Sequence, residues 1–268
     1  MSDNHYFEDK IIWITGASSG IGETLAKRLA PLGSRLILSA RRMNELERVK
    51  QACGNVKHEI TLLPFDLSSP DESARAADEV LAMFNTVDYL FNNGGISQRT
   101  SVLDTSLEMD RKIMEVNYFS GIILTKKVLP AMLKKGHGHI IAISSISGLF
   151  GFPLRTAYCA SKHAVNGFYE AVWTELQDKG IRTTVILPGR IKTNISFHAL
   201  DKGGKPHGVM DKAQEEGLSP EKCVGAIIRG IRKNRRMVLI GRKELIPAYL
   251  KRYIPALFYW LIIKIKPT

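Results

Sequence analysis

The chain is poor in cysteine. Its 268 residues hold three, Cys53, Cys159 and Cys223, far apart and with no C-x-x-C pair. That spacing excludes a zinc ribbon and a disulfide framework, and it fits a reducing compartment. Long apolar runs are also missing: none reaches the ~20 residues that a spanning helix needs. The first ten residues are polar, carry Asp3, Glu8 and Asp9, and lack the basic and apolar regions of a signal peptide. A cytoplasmic protein is expected. His137 and His139 precede an apolar run without an evident third ligand, so they read as loop residues and no metal is expected. There is no internal repeat and no low-complexity tract.

Acidic residues are scarce at one end. Net charge is +12, and residues 219–268 carry twelve Lys/Arg against only Glu221 and Glu244. The excess is therefore local and asks for a local explanation. No aromatic-interleaved basic groove accompanies it, so nucleic acid is not an expected partner.

Hydrophobic residues make up 44% of the chain, enough for a substantial core. Through the first 190 residues, short apolar runs alternate with longer amphipathic ones. The runs at 11–14, 35–39, 60–63, 89–91, 139–143, 183–187 and 237–240 read as strands. Residues 21–32, 43–52, 70–84, 107–133 and 157–179 read as helices. Pro70 suits a first helical turn after a cap at Ser68 or Ser69. This alternation predicts an α/β protein: a doubly wound, Rossmann-like parallel sheet of seven strands with helices on both faces. Residues 1–243 are read as one catalytic domain with a mobile, glycine-rich substrate loop at 190–218. Residues 244–268 are read as an apolar and basic C-terminal segment.

Thr15-Gly16-Ala17-Ser18-Ser19-Gly20-Ile21-Gly22 follows the first strand and opens a helix. Glycines let the backbone turn sharply and approach a pyrophosphate, while the helix N-terminus offers N–H groups and partial positive charge. The spacing is G-x-x-x-G-x-G rather than G-x-G-x-x-G. With Asn92-Asn93-Gly94-Gly95, Asn117, Ser145, Tyr158-x-x-x-Lys162 and Pro188-Gly189 following in order, it resembles the short-chain dehydrogenase/reductase family over nearly the whole chain. One departure is Gly94, where that family usually carries alanine. Residues 117–119 and 158–164 look like its 11β-hydroxysteroid dehydrogenase-like branch, which acts on steroids, retinoids and other lipophilic carbonyls.

The resemblance implies cofactor contacts at Gly16, Ser18, Ser19, Gly20, Ile21, Gly22, Asn93, Gly94, Pro188 and Gly189. It also implies that Asp66 takes the adenine amino group and Leu67 gives a backbone contact, the alternative for Asp66 being a helix cap. Ile191 and Thr193 are expected at the carboxamide of a nicotinamide. After the second strand stands Ala40, where an NAD enzyme carries an acidic residue, and Arg41 and Arg42 follow. Guanidinium groups bind a 2′-phosphate that a carboxylate would repel. The alternative, two arginines that merely decorate a helix start, places cations at an unfavourable helix end. NADP(H) is therefore the expected cofactor.

Tyr158 and Lys162 lie four apart at a helix start and share one face. A nearby ammonium favours the phenolate, which makes tyrosine a usable acid/base. Ser145, at a strand end thirteen residues earlier, is placed to orient and polarise a carbonyl oxygen; Ser144 is its neighbouring competitor. By resemblance, Asn117 holds a water that links Lys162 to solvent. Cys159 has no base at helical spacing and reads as a packed small side chain.

The expected activity is NADPH-preferring interconversion of a carbonyl and an alcohol on a small, lipophilic substrate. The competing reading is a non-catalytic NADP-binding regulatory protein or a membrane-peripheral scaffold. For the apolar run 253–263, flanked by Lys251, Arg252, Lys264 and Lys266, three roles stay open: peripheral contact at the inner face of a membrane, closure of the substrate pocket, or a subunit contact. The family resemblance implies a homodimer or homotetramer.

Overall fold

Seven parallel strands form one sheet: β1 (Ile11–Thr15), β2 (Arg35–Ser39), β3 (Thr61–Leu62), β4 (Tyr89–Asn92), β5 (Gly138–Ile143), β6 (Ile181–Pro188) and β7 (Met237–Ile240). The computed structural model describes residues 4–264. Residues 1–3, at the polar N-terminus, and Lys266, in the C-terminal flank, lie outside the described residues.

The strand order is β3-β2-β1-β4-β5-β6-β7. The order runs outward in one direction from β1 and in the other from β4, so a crevice opens beyond the carboxyl ends of those two strands.

The sheet alternates because successive strand side chains point to opposite faces. Ile12, Ile14, Leu36, Leu38 and Phe91 pack on one face. There they meet the apolar stripes of α2 (Gly20–Leu29), α3 (Met43–Ala52) and α9 (Pro220–Arg232). Trp13, Ile37, Leu90, Ile140 and Ala142 face the other way, against α4 (Pro70–Phe84), α6 (Ser120–Lys135) and α7 (Thr156–Leu176). Trp13 is fully buried, and its indole N–H donates to Ser39 Oγ at 2.9 Å, so burying that polar atom leaves nothing unpaired. Shorter helices are α1 (Asn4–Phe7), α5 (Leu107–Met114), α8 (Lys212–Glu215), α10 (Ile246–Tyr253) and α11 (Pro255–Ile262).

Helix α4 starts as its sequence predicts. Pro70 occupies the first turn, and Ser69 caps it by accepting from Glu72 N at 3.2 Å. The predicted helix over 107–133 is not continuous. Residues Glu115–Phe119 form a π-helical turn between α5 and α6, and this turn inserts the buried Asn117 into the interior. His139 is not a loop residue. It lies within β5, fully in the core, and shares a 2.8 Å hydrogen bond with Thr184 Oγ1. Burial pushes its pKa down to about 3, so it is neutral. His137 does sit before the strand, beside Asp88.

Loop 190–218 crosses the carboxyl ends of the strands. Short bridges tie it down: Gln98 to Leu200, Ile191 to Leu218, and Leu200 to Pro206. Among the described residues no helix is long and apolar enough to cross a membrane.

Candidate active site

A cleft of about 1750 Å³ runs along the carboxyl ends of the strands. Its wall begins with the turn after β1. Gly16 and Gly20 take the left-handed conformation, with φ of +62° and +56°, which a side chain would disfavour. A Cβ at Gly16 would lie 2.7 Å from Gly94 Cα, so the β1 and β4 turns meet backbone to backbone.

Asn93 fastens that contact. Its side-chain N–H groups donate to Thr15 O at 2.9 Å and Gly16 O at 3.1 Å, and its own backbone N–H donates to Thr15 Oγ1. Gly22 lies behind the turn, not along the cleft; a side chain there would strike the Gly16 carbonyl and Asn93. Ser19, at the N-cap of α2, makes no side-chain hydrogen bond to the helix. The cradle therefore fits a dinucleotide pyrophosphate: a bare backbone turn at a helix N-terminus with polar side chains to spare.

Gly94 replaces the expected alanine without leaving a gap. The Leu67 side chain projects into the space that a methyl at Gly94 would take. Asp66 does not cap α4. Its carboxylate accepts from Ser68 N at 2.9 Å, and its backbone N–H donates to Glu72 at 2.8 Å, which holds Asp66 and Leu67 at the cleft. Arg41 and Arg42 are exposed at the cleft rim. Arg42 is the N-cap of α3, a place where a guanidinium, which has donors only, cannot cap the helix N–H groups.

At the other end stand Ser145, Tyr158 and Lys162, all buried. The Ser145 hydroxyl accepts from Ser147 N at 3.1 Å, donates to Pro188 O at 3.5 Å and lies close enough to the Tyr158 phenol to lower its pKa. Ser144 turns away and donates to Lys162 O, which separates the two candidate serines. Lys162 Nζ lies 5.7 Å from the Tyr158 ring centre and donates to Ile143 O at 2.9 Å. Burial pushes the Tyr158 pKa up, while the Ser145 hydroxyl and the charge on Arg155 pull it back. Burial lowers that of Lys162 to about 8.

Asn117 does not line the cleft. Its Oδ1 accepts from Ile96 N at 2.8 Å, and its Nδ2 donates to Ile96 O and Ser161 Oγ. Asn117 and Lys162 nevertheless flank one point, since a Cβ at Gly95 would lie 3.0 Å from Asn117 Oδ1 and 3.5 Å from Lys162 Nζ. Pro188, Gly189, Ile191 and Thr193 form the facing wall. Cys159 is buried; its sulfur accepts from Phe152 N, and burial raises its pKa, as befits a packed thiol.

Two residues that shape the site carry no signal in the sequence. Gln98 is fully buried. Its Oε1 accepts from Tyr158 N at 3.1 Å, and its Nε2 donates to the hydroxyls of Thr100, Thr105 and Thr156. It thus fixes the first turn of α7, which carries the tyrosine. Arg48 donates to Ser18 O at 3.0 Å and pairs with Glu23 at 2.9 Å, which ties the phosphate turn to α3. That hydrogen bond holds the Glu23 carboxyl down at about 2. Both links span tens of residues and leave no local pattern.

Comparison with known proteins agrees with this geometry. The short chain dehydrogenase family model matches residues 10–202. A dehydrogenase/reductase SDR family protein 7-like from Drosophila melanogaster is 41% identical over 260 residues, covering 95% of this chain and 80% of that protein. A dehydrogenase/reductase SDR family member 7B from Bos taurus is 39% identical over 264 residues, covering 96% and 81%. Among solved structures, a short-chain dehydrogenase from Sphingobium yanoikuyae in complex with NADPH superposes with a TM-score of 0.78 at 25% identity, over 96% of both chains. An enzyme from Burkholderia phymatum in complex with NAD gives 0.83 at 24% identity over 100% of this chain and 98% of that one, a likeness of fold. By sheet order, by the cleft between β1 and β4 and by these relatives, the chain belongs to the short-chain dehydrogenase/reductase family, oxidoreductases that work with a nicotinamide cofactor.

Proposed function

We propose that the protein is an NADPH-preferring oxidoreductase that interconverts a carbonyl and an alcohol on a lipophilic substrate. The observation that carries this reading is one continuous cleft. It runs from Arg41 and Arg42, past the glycine turn, to the buried Ser145, Tyr158 and Lys162. When bound, the cofactor supplies the hydride in reduction and accepts it in oxidation. Tyr158 gives its phenolic proton to the carbonyl oxygen, or removes one from an alcohol. Ser145 donates a hydrogen bond to the same oxygen and polarises it. Lys162 brings an ammonium close enough to favour the phenolate. Asn117 Oδ1 has acceptor capacity left beyond Ile96, and holds the water that resupplies the proton.

A non-catalytic scaffold has no use for three buried polar groups converging on a cleft, because burying them costs stability. Absorbance of NADPH, followed against a panel of lipophilic ketones, aldehydes and alcohols, tests the reading. Turnover of at least one is expected, and no turnover of any would sink it.

Cofactor preference rests on Arg41 and Arg42, and a solved relative with 25% identity holds NADPH. Arg41→Asp combined with Arg42→Ala is expected to weaken NADPH binding roughly tenfold or more, the worth of a charged hydrogen bond or two. NADH binding should change less than about threefold on the same reasoning. Fluorescence titration of both cofactors checks it, and equal losses would remove the phosphate-recognition argument.

The C-terminal segment supports a peripheral membrane role at a cytoplasmic membrane face. Phe258 is buried against Phe150, with ring centres 5.6 Å apart, and so docks α11 on the domain. The outward residues stay uncovered: Tyr253, Tyr259, Trp260 and Ile263 are 56–80% exposed, beside Arg252 and Lys264. Aromatic and aliphatic groups framed by cations suit a lipid interface. Pro247, from α10, also lines the cleft, which brings this segment to its edge. Trp260→Glu combined with Ile263→Glu is expected to abolish flotation with anionic liposomes and leave NADPH affinity unchanged. Unaltered flotation would end the membrane reading.

A further inference from the structure

The substrate end of the cleft contains a charge cluster that the hydride-transfer chemistry does not use. Asp211, from the loop before α8, is 7% exposed at its side chain. Arg99 grips it with two nitrogens: Nη1 donates to Oδ2 at 2.9 Å and Nη2 lies 2.8 Å from Oδ1. Arg155 adds a third contact, Nη2 to Oδ2 at 2.8 Å. The arginine side chains are themselves only 12% and 23% exposed. All three residues line the cleft together with Ser145 and Tyr158, and Arg155 precedes Tyr158 by three residues.

The cluster is not neutral. Two guanidinium groups share one carboxylate in a largely dehydrated wall, which leaves one positive charge without a partner of its own among the described residues. Such a charge is costly unless an anion joins it. Its position makes the imbalance worse. Arg155 is the N-cap of α7, a 21-residue helix whose N-terminus favours an anion and disfavours a cation. Lys112 lines the same cleft and adds to the excess. Burial pushes the pKa of Arg99 down; Asp211 opposes that push, while Arg155 adds to it. Around the cluster the wall is apolar: Ile146, Phe152, Pro153 and Leu200 line the cleft as well. A ligand that suits this end therefore has a greasy body and one negative group.

We propose that Arg155 and Arg99 form a recognition site for a carboxylate on the substrate, so that the molecule whose carbonyl meets Tyr158 is an oxo acid. The site already holds a carboxylate, that of Asp211, in the planar two-nitrogen geometry that arginine offers such groups. The substrate's acid group either joins Asp211 on the free donors of Arg155 or displaces it from them. Reduction leaves this group untouched: hydride goes to the carbonyl carbon, the Tyr158 proton goes to its oxygen, and the product is the hydroxy acid. The proposal rests on the oxidoreductase function proposed for this cleft and names the substrate class of that site.

The test compares a medium-chain oxo acid with its methyl ester, which differ in charge and hardly at all in shape. Calorimetric binding to the NADP⁺-loaded protein, which cannot reduce the compounds, is measured for wild type, Arg155→Gln and Asp211→Asn, alongside KM for both compounds with NADPH. Wild type is expected to favour the acid roughly tenfold to a hundredfold, the worth of a charged hydrogen bond. Arg155→Gln should bring that ratio close to one while leaving the ester unchanged. Asp211→Asn removes the competing carboxylate and should raise the ratio. A wild-type ratio near one overturns the proposal, and so do equal losses for acid and ester in both variants, which would reduce the cluster to a tie for the loop. If neither compound is turned over, the oxidoreductase reading is in trouble, yet the binding ratio still decides the carboxylate site.

Discussion

Replacing Tyr158 with phenylalanine is expected to cut turnover roughly 10²–10⁴-fold, the range of a positioned acid/base, while NADPH affinity stays near wild type. The substitution keeps the ring, which is 6% exposed and packed in the first turn of α7, and removes only the hydroxyl. Gln98 still holds the backbone of residue 158, so the helix start does not shift. What disappears is the hydroxyl beside Ser145 and the proton that reduction needs. The pH dependence follows from the same surroundings. Burial, the largest influence, raises the tyrosine's pKa, so at neutral pH the phenol keeps its proton. Reduction uses that protonated form; its rate should hold through neutral pH and fall as pH climbs through the tyrosine's pKa. Oxidation uses the phenolate, and should rise over the same span. Stopped-flow traces across a pH series check the two directions: NADPH oxidation with the carbonyl for reduction, and NADP⁺ reduction with the alcohol for oxidation. Turnover by Tyr158→Phe within tenfold of wild type would assign the proton transfer to another group. A scaffold protein would show no difference between the two forms at all.

Much of this site is legible in the sequence because its parts are local. The turn over 15–22 follows a four-residue apolar run and opens an amphipathic helix, so strand, glycines and helix start are read from one short stretch. Tyr158 and Lys162 announce a shared face by their spacing, and Ala40-Arg41-Arg42 by its place at a strand end. Three kinds of feature leave no such mark. Contacts between distant segments have no periodic trace: Gln98 reaches Tyr158 across sixty residues, and Asp211 meets Arg99 from the far side of the loop. An extra residue in a helical turn is also invisible to periodicity, since hydrophobic spacing over 107–133 passes smoothly across Glu115–Phe119. A histidine at a strand start, such as His139, reads as polar, whereas pairing with Thr184 on β6 lets it be buried neutral. The apolar run 253–263 shows its composition but not its geometry; Pro255 separates α10 from α11, and only Phe258 turns fully inward.

Lys162→Met is expected to have opposite effects on chemistry and on folding. Turnover should fall at least as far as in Tyr158→Phe, because the ammonium 5.7 Å from the Tyr158 ring centre, proposed to favour the phenolate, is lost. The protein without cofactor should at the same time become more stable. Lys162 is 4% exposed, and among the described residues its ammonium donates to Ile143 O with no carboxylate in contact. Burial lowers its pKa from 10.5 to about 8, so holding the ammonium there costs about 3 kcal/mol at neutral pH. Methionine fills a similar volume, removes that cost, and leaves the Ile143 carbonyl unpaired at about 1 kcal/mol. The balance, about 2 kcal/mol, corresponds to a rise in Tm of roughly 4–8 °C for a chain of this size. The sign of the pH dependence is fixed by which state binds the proton. Between about pH 8 and 10.5 the unfolded chain keeps the lysine proton and the folded protein has lost it, so wild-type stability rises with pH across that window. The advantage of Lys162→Met is therefore full at pH 7, shrinks above pH 8 and turns, by pH 10.5, into a deficit of about 1 kcal/mol, that of the unpaired Ile143 carbonyl. Thermal unfolding of both proteins at several pH values measures it. A variant less stable than wild type at pH 7, or a gap that does not close with rising pH, would show that the buried ammonium has found compensation that the site's hydrogen bonds do not supply. The expected outcome makes Lys162 a residue kept for its charge at the expense of the fold that holds it.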